Sequence, residues 1–174
     1  KDFIYNNEVV YQFGRFGQQT ISAYTVSFNV ERETRLWGRD FNLGFKTEAI
    51  SGDKDANDNK MNTFDALYPR GAYFGRVARF GPSNLIDIHP SISTTFNKWQ
   101  VEFDYDAFWR YSLQDGVYGA AMTLDYPSVN NQRFIAHQMG TILSYRYNKF
   151  LAFAFESSLI IPGKFLQYSN KGDD

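Results

Sequence analysis

Trp99-Gln100-Val101-Glu102-Phe103-Asp104-Tyr105-Asp106-Ala107-Phe108-Trp109-Arg110-Tyr111 is the stretch whose reading decides the fold. Trp99, Val101, Phe103, Tyr105, Ala107, Trp109 and Tyr111 alternate with Gln100, Glu102, Asp104, Asp106, Phe108 and Arg110. Successive strand residues point to opposite faces, so this is a strand with one aromatic face and one face that is mostly polar.

The same period runs outward on both sides. Residues 2–13 set Phe3, Tyr5, Val9, Tyr11 and Phe13 against Asp2, Asn6, Glu8 and Gln12, and a turn follows at 14–17. A second strand spans about 19–31, then a polar corner at Arg32-Glu33-Thr34-Arg35, then a third strand over 36–48. A fourth covers 84–96 and meets the opening stretch through a two-residue turn at Asn97-Lys98. Strands at 134–147 and 150–161 flank a tight turn at Asn148-Lys149. Two long connections, about 50–84 and 112–133, show no clean period. Connections of that length are uncommon in compact domains unless functional or disordered. The first is rich in aromatics, which favours a structured loop on a rigid β scaffold.

Composition narrows the class. With 174 residues, no Cys and a net charge of −1, neither a disulfide framework, a thiolate metal site nor a nucleic-acid partner is expected. No apolar run reaches the roughly 18 residues of a transmembrane helix. That leaves open a transmembrane β-barrel, whose alternating strands have ordinary average hydropathy. Short turns alternating with long loops match an up-and-down outer-membrane barrel, with long loops outside and the 32–35, 97–98 and 148–149 connections periplasmic. A soluble barrel fills its interior with apolar groups, whereas the inner face here carries Glu, Asp, Lys and Arg. Seven strands do not make the even count of a closed bacterial barrel. The chain opens Lys1-Asp2-Phe3 and stops at Gly172-Asp173-Asp174, which reads as a portion of one larger barrel domain lacking N-terminal strands and the final strand.

Particular motifs then resemble the alginate export family of outer-membrane barrels. They are Glu8-Val9-Val10-Tyr11-Gln12-Phe13-Gly14, Ser51-Gly52-Asp53, Thr63-Phe64-Asp65-Ala66-Leu67-Tyr68-Pro69, Asn84-Leu85-Ile86-Asp87-Ile88-His89, Asp104-Tyr105-Asp106-Ala107-Phe108-Trp109-Arg110 with Asp115-Gly116-Val117-Tyr118, and Pro162-Gly163-Lys164-Phe165-Leu166. The resemblance implies a monomeric barrel of about eighteen strands, conducting an anionic exopolysaccharide outward through a lumen with basic side chains. Ile142 and Ser144 stand where it implies inward carboxylates.

A conduit needs no catalyst; it needs a wall that attracts its solute weakly enough to release it. By parity the inward basic residues are Lys46, Arg110 and Arg146, with Arg70, Arg76 and Arg79 available from the long loop. Inward acids include Glu48, Asp87, Glu102, Asp104 and Asp106, and acid–base ladders across strands are the plain structural alternative. Phe64, Asp65, Tyr68, Pro69, Arg70, Tyr73 and Phe74 form a candidate gate, expected to fold over or into the barrel mouth. Asp53, Asp55 and Asn57 begin like a calcium loop but lack its Gly and terminal Glu. His89 and Ser91 share a face at the spacing of lipid-active outer-membrane enzymes, yet on the polar side; His137 reads as a polar rim residue. The expected function is a passive channel for an alginate-like polysaccharide or related anionic solute, in contact with membrane lipid and without a cofactor. The alternative is a plugged barrel docking envelope protein partners.

Overall fold

The computed structural model describes residues 3–68, 73–75 and 77–169. Seven long strands carry the fold: β1 (Phe3–Phe16), β2 (Gln19–Leu36), β3 (Arg39–Ile50), β5 (Leu85–Phe96), β6 (Trp99–Arg110), β9 (Phe134–Arg146) and β10 (Ala152–Pro162). They pair antiparallel in the order β1-β2-β3-β5-β6-β9-β10, with β1 and β10 at the edges. The fold is all-β. Short elements fill the loops: β4 (Lys60–Met61) runs parallel to β2, β7 (Val117–Tyr118) pairs β8 (Leu124–Tyr126), and a six-residue helix, α1 (Lys164–Ser169), follows β10.

Four boundaries differ from the sequence reading. The segment Arg32–Arg35 is not a corner but the last part of β2, with Arg32 opposite Phe3 and Glu33 opposite Asn42. Its charges belong to a strand end, and the reversal falls at Trp37-Gly38, where φ is 49° and 77°. Glycine accepts that left-handed backbone freely and so sets the turn. Gly14 lies within β1, and its reversal comes at Gly17-Gln18. The last connection is five residues, 147–151, closed by Asn148, whose side-chain oxygen accepts the Phe150 and Leu151 amides. Finally, the Pro162–Leu166 motif, for which the resemblance implies a large loop, leads into the short helix α1, whose first turn is closed by the Gln167 amide donating to the Gly163 carbonyl.

The two faces of the sheet have opposite fates. Phe13, Val9, Phe155 and Leu159 on the aromatic face are more than half exposed. The apolar core lies on the polar face, near the strand ends that carry the long loops. There Phe64, Phe74 and Phe80 from the first loop and Val117 from the second pack with Ile50, Leu85 and Phe108. Phe74 and Phe80 meet the Phe108 ring at centroid distances of 5.6 and 5.0 Å. Phe108 is the odd member of the polar face of β6, and the loop is what covers it. Truncating this ring leaves a cavity that the rigid sheet cannot close. Phe108→Ala is expected to destabilise the protein by about 3–5 kcal/mol, against less than about 1.5 kcal/mol for Leu159→Met on the aromatic face. Thermal unfolding in detergent monitored by circular dichroism checks the contrast.

Candidate functional site

Strand register arranges the polar face in rows. Lys46 lies opposite His89, and Asp106 opposite Gln138. One step towards the long loops come Glu48, Asp87, Phe108 and Ala136; one step away come Gly44, Ser91, Asp104 and Gly140. A cleft of about 370 Å³ is bordered by residues of six strands, from Asn29 and Glu31 on β2 to Glu156 and Ser158 on β10, with Tyr73 and Gly75 of the loop above. Six strands share one cleft only if the sheet curves, so the polar face is the concave one.

The first long loop is seated on this face. Tyr73 donates its hydroxyl to the Glu48 carboxylate, at 2.9 and 3.1 Å from its two oxygens, and Glu48 also accepts the Thr25 hydroxyl at 2.7 Å. Burial, with the Glu48 charge, raises the Tyr73 pKa well above the usual phenol range, so Tyr73 stays a donor. The Lys46 ammonium stands 4.3 Å from the Tyr73 ring centre and 3.7 Å from a Glu48 oxygen. The Phe74 carbonyl accepts Gln138 Nε2 at 2.6 Å. Gly75 has φ 86°, and a Cβ there would press on the same amide nitrogen. Asp65 exchanges hydrogen bonds with the Gln12 side chain, while Tyr68 is 93% exposed. Pro69, Arg70 and Arg76 lie outside the described residues.

Two residues expected in an open solute pathway are not available to it. Arg110 is fully buried. Its Nε and Nη2 donate to the Gln132 carbonyl at 3.0 and 2.6 Å, and Nη2 also to Asn130 at 2.6 Å. Its Nη1 reaches the Leu113 and Asp115 carbonyls and the Ser128 hydroxyl, and the guanidinium lies 4.2 Å from the centre of the Phe165 ring. A planar fork of five donors satisfies loop carbonyls that no strand could reach. Asp106 is likewise fully buried, with His89 Nδ1 2.9 Å from one oxygen and Gln138 Nε2 3.1 Å from the other. Parity gives both side chains the correct face; the loops above them remove both from solvent.

The remaining candidates are spread between the cleft, the short-turn end and the loops. Glu102 and Asp104 border the cleft. Arg146 is exposed at the short-turn end, beside a second cleft that includes Lys98 and Trp99. Asp53 and Asp55 turn side-chain oxygens to the Lys54 and Asn57 amides, as ordinary loop-capping groups do. His89 faces Asp106 rather than Ser91. His137 contacts the Tyr105 hydroxyl and the Phe134 ring. Asn84 and Asp115 join the two loops, a role that alternation along the strands does not reveal. Asn84 is fully buried with φ 49°; it donates to the Ser112 and Gly116 carbonyls and accepts the Ser112 amide at 2.6 Å. Asp115 accepts the Asp53 amide and the Thr63 and Tyr118 hydroxyls. An Asn immediately before a strand is a signal for left-handed backbone, but its partners come from a loop remote in sequence.

The family model described as alginate export matches residues 1–173. The chain belongs to the alginate export family. No curated protein matches it in sequence. The family is one of export rather than of enzymes, and its members are in general outer-membrane proteins.

Within this family member the roles of Arg110 and Tyr73 separate by substitution. Arg110→Lys keeps the charge but strands several buried carbonyls, each worth about 1–3 kcal/mol when unsatisfied. Limited proteolysis is expected to cut between 112 and 133 much faster than in the wild type. Tyr73→Phe removes only the donor to Glu48, at a similar cost of about 1–3 kcal/mol, and is expected to expose the first loop to protease while the second stays protected.

Proposed function

We propose that this chain forms part of the wall of an outer-membrane channel that conducts an anionic polysaccharide, alginate or a chemical relative, outward. Membership of the alginate export family carries the reading. The exposed aromatic face supports it, because apolar surface on this scale needs cover and transmembrane strands present such a face to lipid. The polar cleft supports it as well. Lys46 sits at the junction of cleft and loop, and Arg146 at the far end of β9.

The charge of the cleft constrains the mechanism. Glu31, Glu102, Asp104 and Glu156 border it with Lys46. This section of wall therefore holds a polyanion weakly, which suits release better than capture. Among the described residues Lys46 is the basic side chain at the cleft that offers it attraction, and Tyr73 and Glu48 hold the ammonium in place. The segment around Tyr73 and Phe74 is the natural gate, since its displacement uncovers the cleft. Its close packing on the polar face also favours a second reading, a barrel closed by its own loop that docks other envelope proteins.

Single-channel recording of the full-length protein in planar bilayers tests both. Lys46→Ala and Arg146→Ala are each expected to lower the anion-to-cation permeability ratio about twofold at 0.1 M salt, where charges act over about 10 Å, and hardly at all at 1 M. A cation-selective wild type, or variants that leave the ratio unchanged at low salt, would overturn the anion pathway. A wild type that never conducts favours the closed docking barrel.

A further inference from the structure

We propose that Asp87, His89 and Asp106 form a binding site for a first-row divalent metal ion such as zinc, set in the polar face beneath the Tyr73–Gly75 segment. One ligand atom from each residue lies within 4.8 Å of the others. His89 Nδ1 and Asp106 Oδ1 are 2.9 Å apart. That is close to the edge of an octahedron whose corners lie about 2.1 Å from a central metal.

Burial supplies the independent observation. Asp87 and Asp106 are fully buried. Neither carboxylate oxygen of Asp87 has a hydrogen-bond partner among the described residues, nor does Gln138 Oε1. Gln138 is itself 2% exposed, and its nitrogen is committed to Phe74 and Asp106. An ionised carboxylate taken out of water without donors is strongly unfavourable, and buried charges are found paired or on metals. Among the described residues the neighbours do not supply that pairing. Lys46 is engaged with Glu48 and the Tyr73 ring, and no salt bridge joins it to Asp87 among the described residues. Among the described residues, Glu48, Asp87, Asp104 and Asp106 thus crowd around one lysine and one imidazole.

Strand geometry explains why these three meet. Asp87 and His89 are two residues apart on β5 and so share a face. The β5–β6 ladder is interrupted at His89 and Pro90, between Ile88 opposite Ala107 and Ser91 opposite Asp104. Pro90 has no amide hydrogen to donate, and at this gap the His89 ring faces Asp106. The donor set is two carboxylates and one neutral imidazole. Imidazole selects zinc and its first-row neighbours over calcium and magnesium, which take oxygen ligands. Water or Gln138 Oε1 can complete the coordination. The rival arrangement is a protonated His89 paired with Asp106 beside a neutral, protonated Asp87, which needs no metal.

The test uses full-length protein purified in detergent, stripped with chelator and titrated with Zn²⁺ by calorimetry, then with Co²⁺ by visible absorption. The expected result is one ion per chain at this site, a cobalt spectrum with imidazole ligation, and a raised unfolding midpoint of the wild type on adding Zn²⁺. Asp87→Asn and His89→Gln are expected to weaken Zn²⁺ at least tenfold, while His137→Gln, at the other histidine of this sequence, leaves it unchanged. Absence of stoichiometric binding to the wild type overturns the proposal in favour of the imidazolium arrangement. So does binding that survives both Asp87→Asn and His89→Gln. Because the readout is metal on the wild type as well as on the variants, a variant that fails to fold does not rescue the idea. The result is also independent of conductance.

Discussion

The packing of Phe74 and Phe80 on Phe108 is the contact on which the rest of the polar face depends. Without it, the two adjacent rows that hold Glu48, Asp87, His89 and Asp106 would face water, and their charges would be screened and hydrated as on any barrel wall. With it, Asp87, Asp106 and Gln138 are buried. Every electrostatic interaction beneath the loop is thereby strengthened, and every unmatched one made costly. The aromatic rings therefore do more than close a rim. They turn a stretch of ordinary barrel lining into a low-dielectric site whose charges must be balanced locally.

Which parts of this were legible in the sequence follows from how register is set. A two-residue turn fixes strand pairing completely. Asn97-Lys98 alone places Phe96 opposite Trp99, and counting back along both strands brings His89 opposite Asp106. The same count shows that they share the polar face. The pairing of Asp106 with Gln138, and of Lys46 with His89, is different in kind. Both cross a long loop, and no property of such a loop fixes the offset between its flanking strands. Arg110 escapes the sequence for a related reason. Alternation gives its face correctly, but the carbonyls of Leu113, Asp115, Asn130 and Gln132 that consume it come from a loop whose path has no period to read.

Arg110 and Lys46 show how similar positions acquire different work. Both are basic residues on the polar face, near the long-loop ends of their strands. The guanidinium offers a rigid fork and is drawn into backbone carbonyls, where it organises a loop. The ammonium offers a compact charge on a flexible stem and rests on the face of an aromatic ring, beside one carboxylate. Only the second arrangement leaves a positive charge bordering the cleft, partly exposed and able to meet a passing anion. An inward-facing basic residue is thus a weak indicator of a solute pathway until the loops above it are known.

If the Tyr73–Phe74 segment moves to admit a solute, the cost of the movement can be bounded. Exposing two buried phenylalanines, Phe74 and Phe80, costs about 1.5–3 kcal/mol each. A total of about 3–6 kcal/mol holds the displaced form to about one per cent or less of the population. A ligand shifts such an equilibrium only by the difference in its affinity for the two forms. The cation over Tyr73 is the feature able to supply that difference: an anionic group drawing Lys46 away from Glu48 would also remove the charge that rests on the Tyr73 ring. On this argument the buried rings hold the segment on the polar face at rest, and the solute proposed above would have to supply the difference.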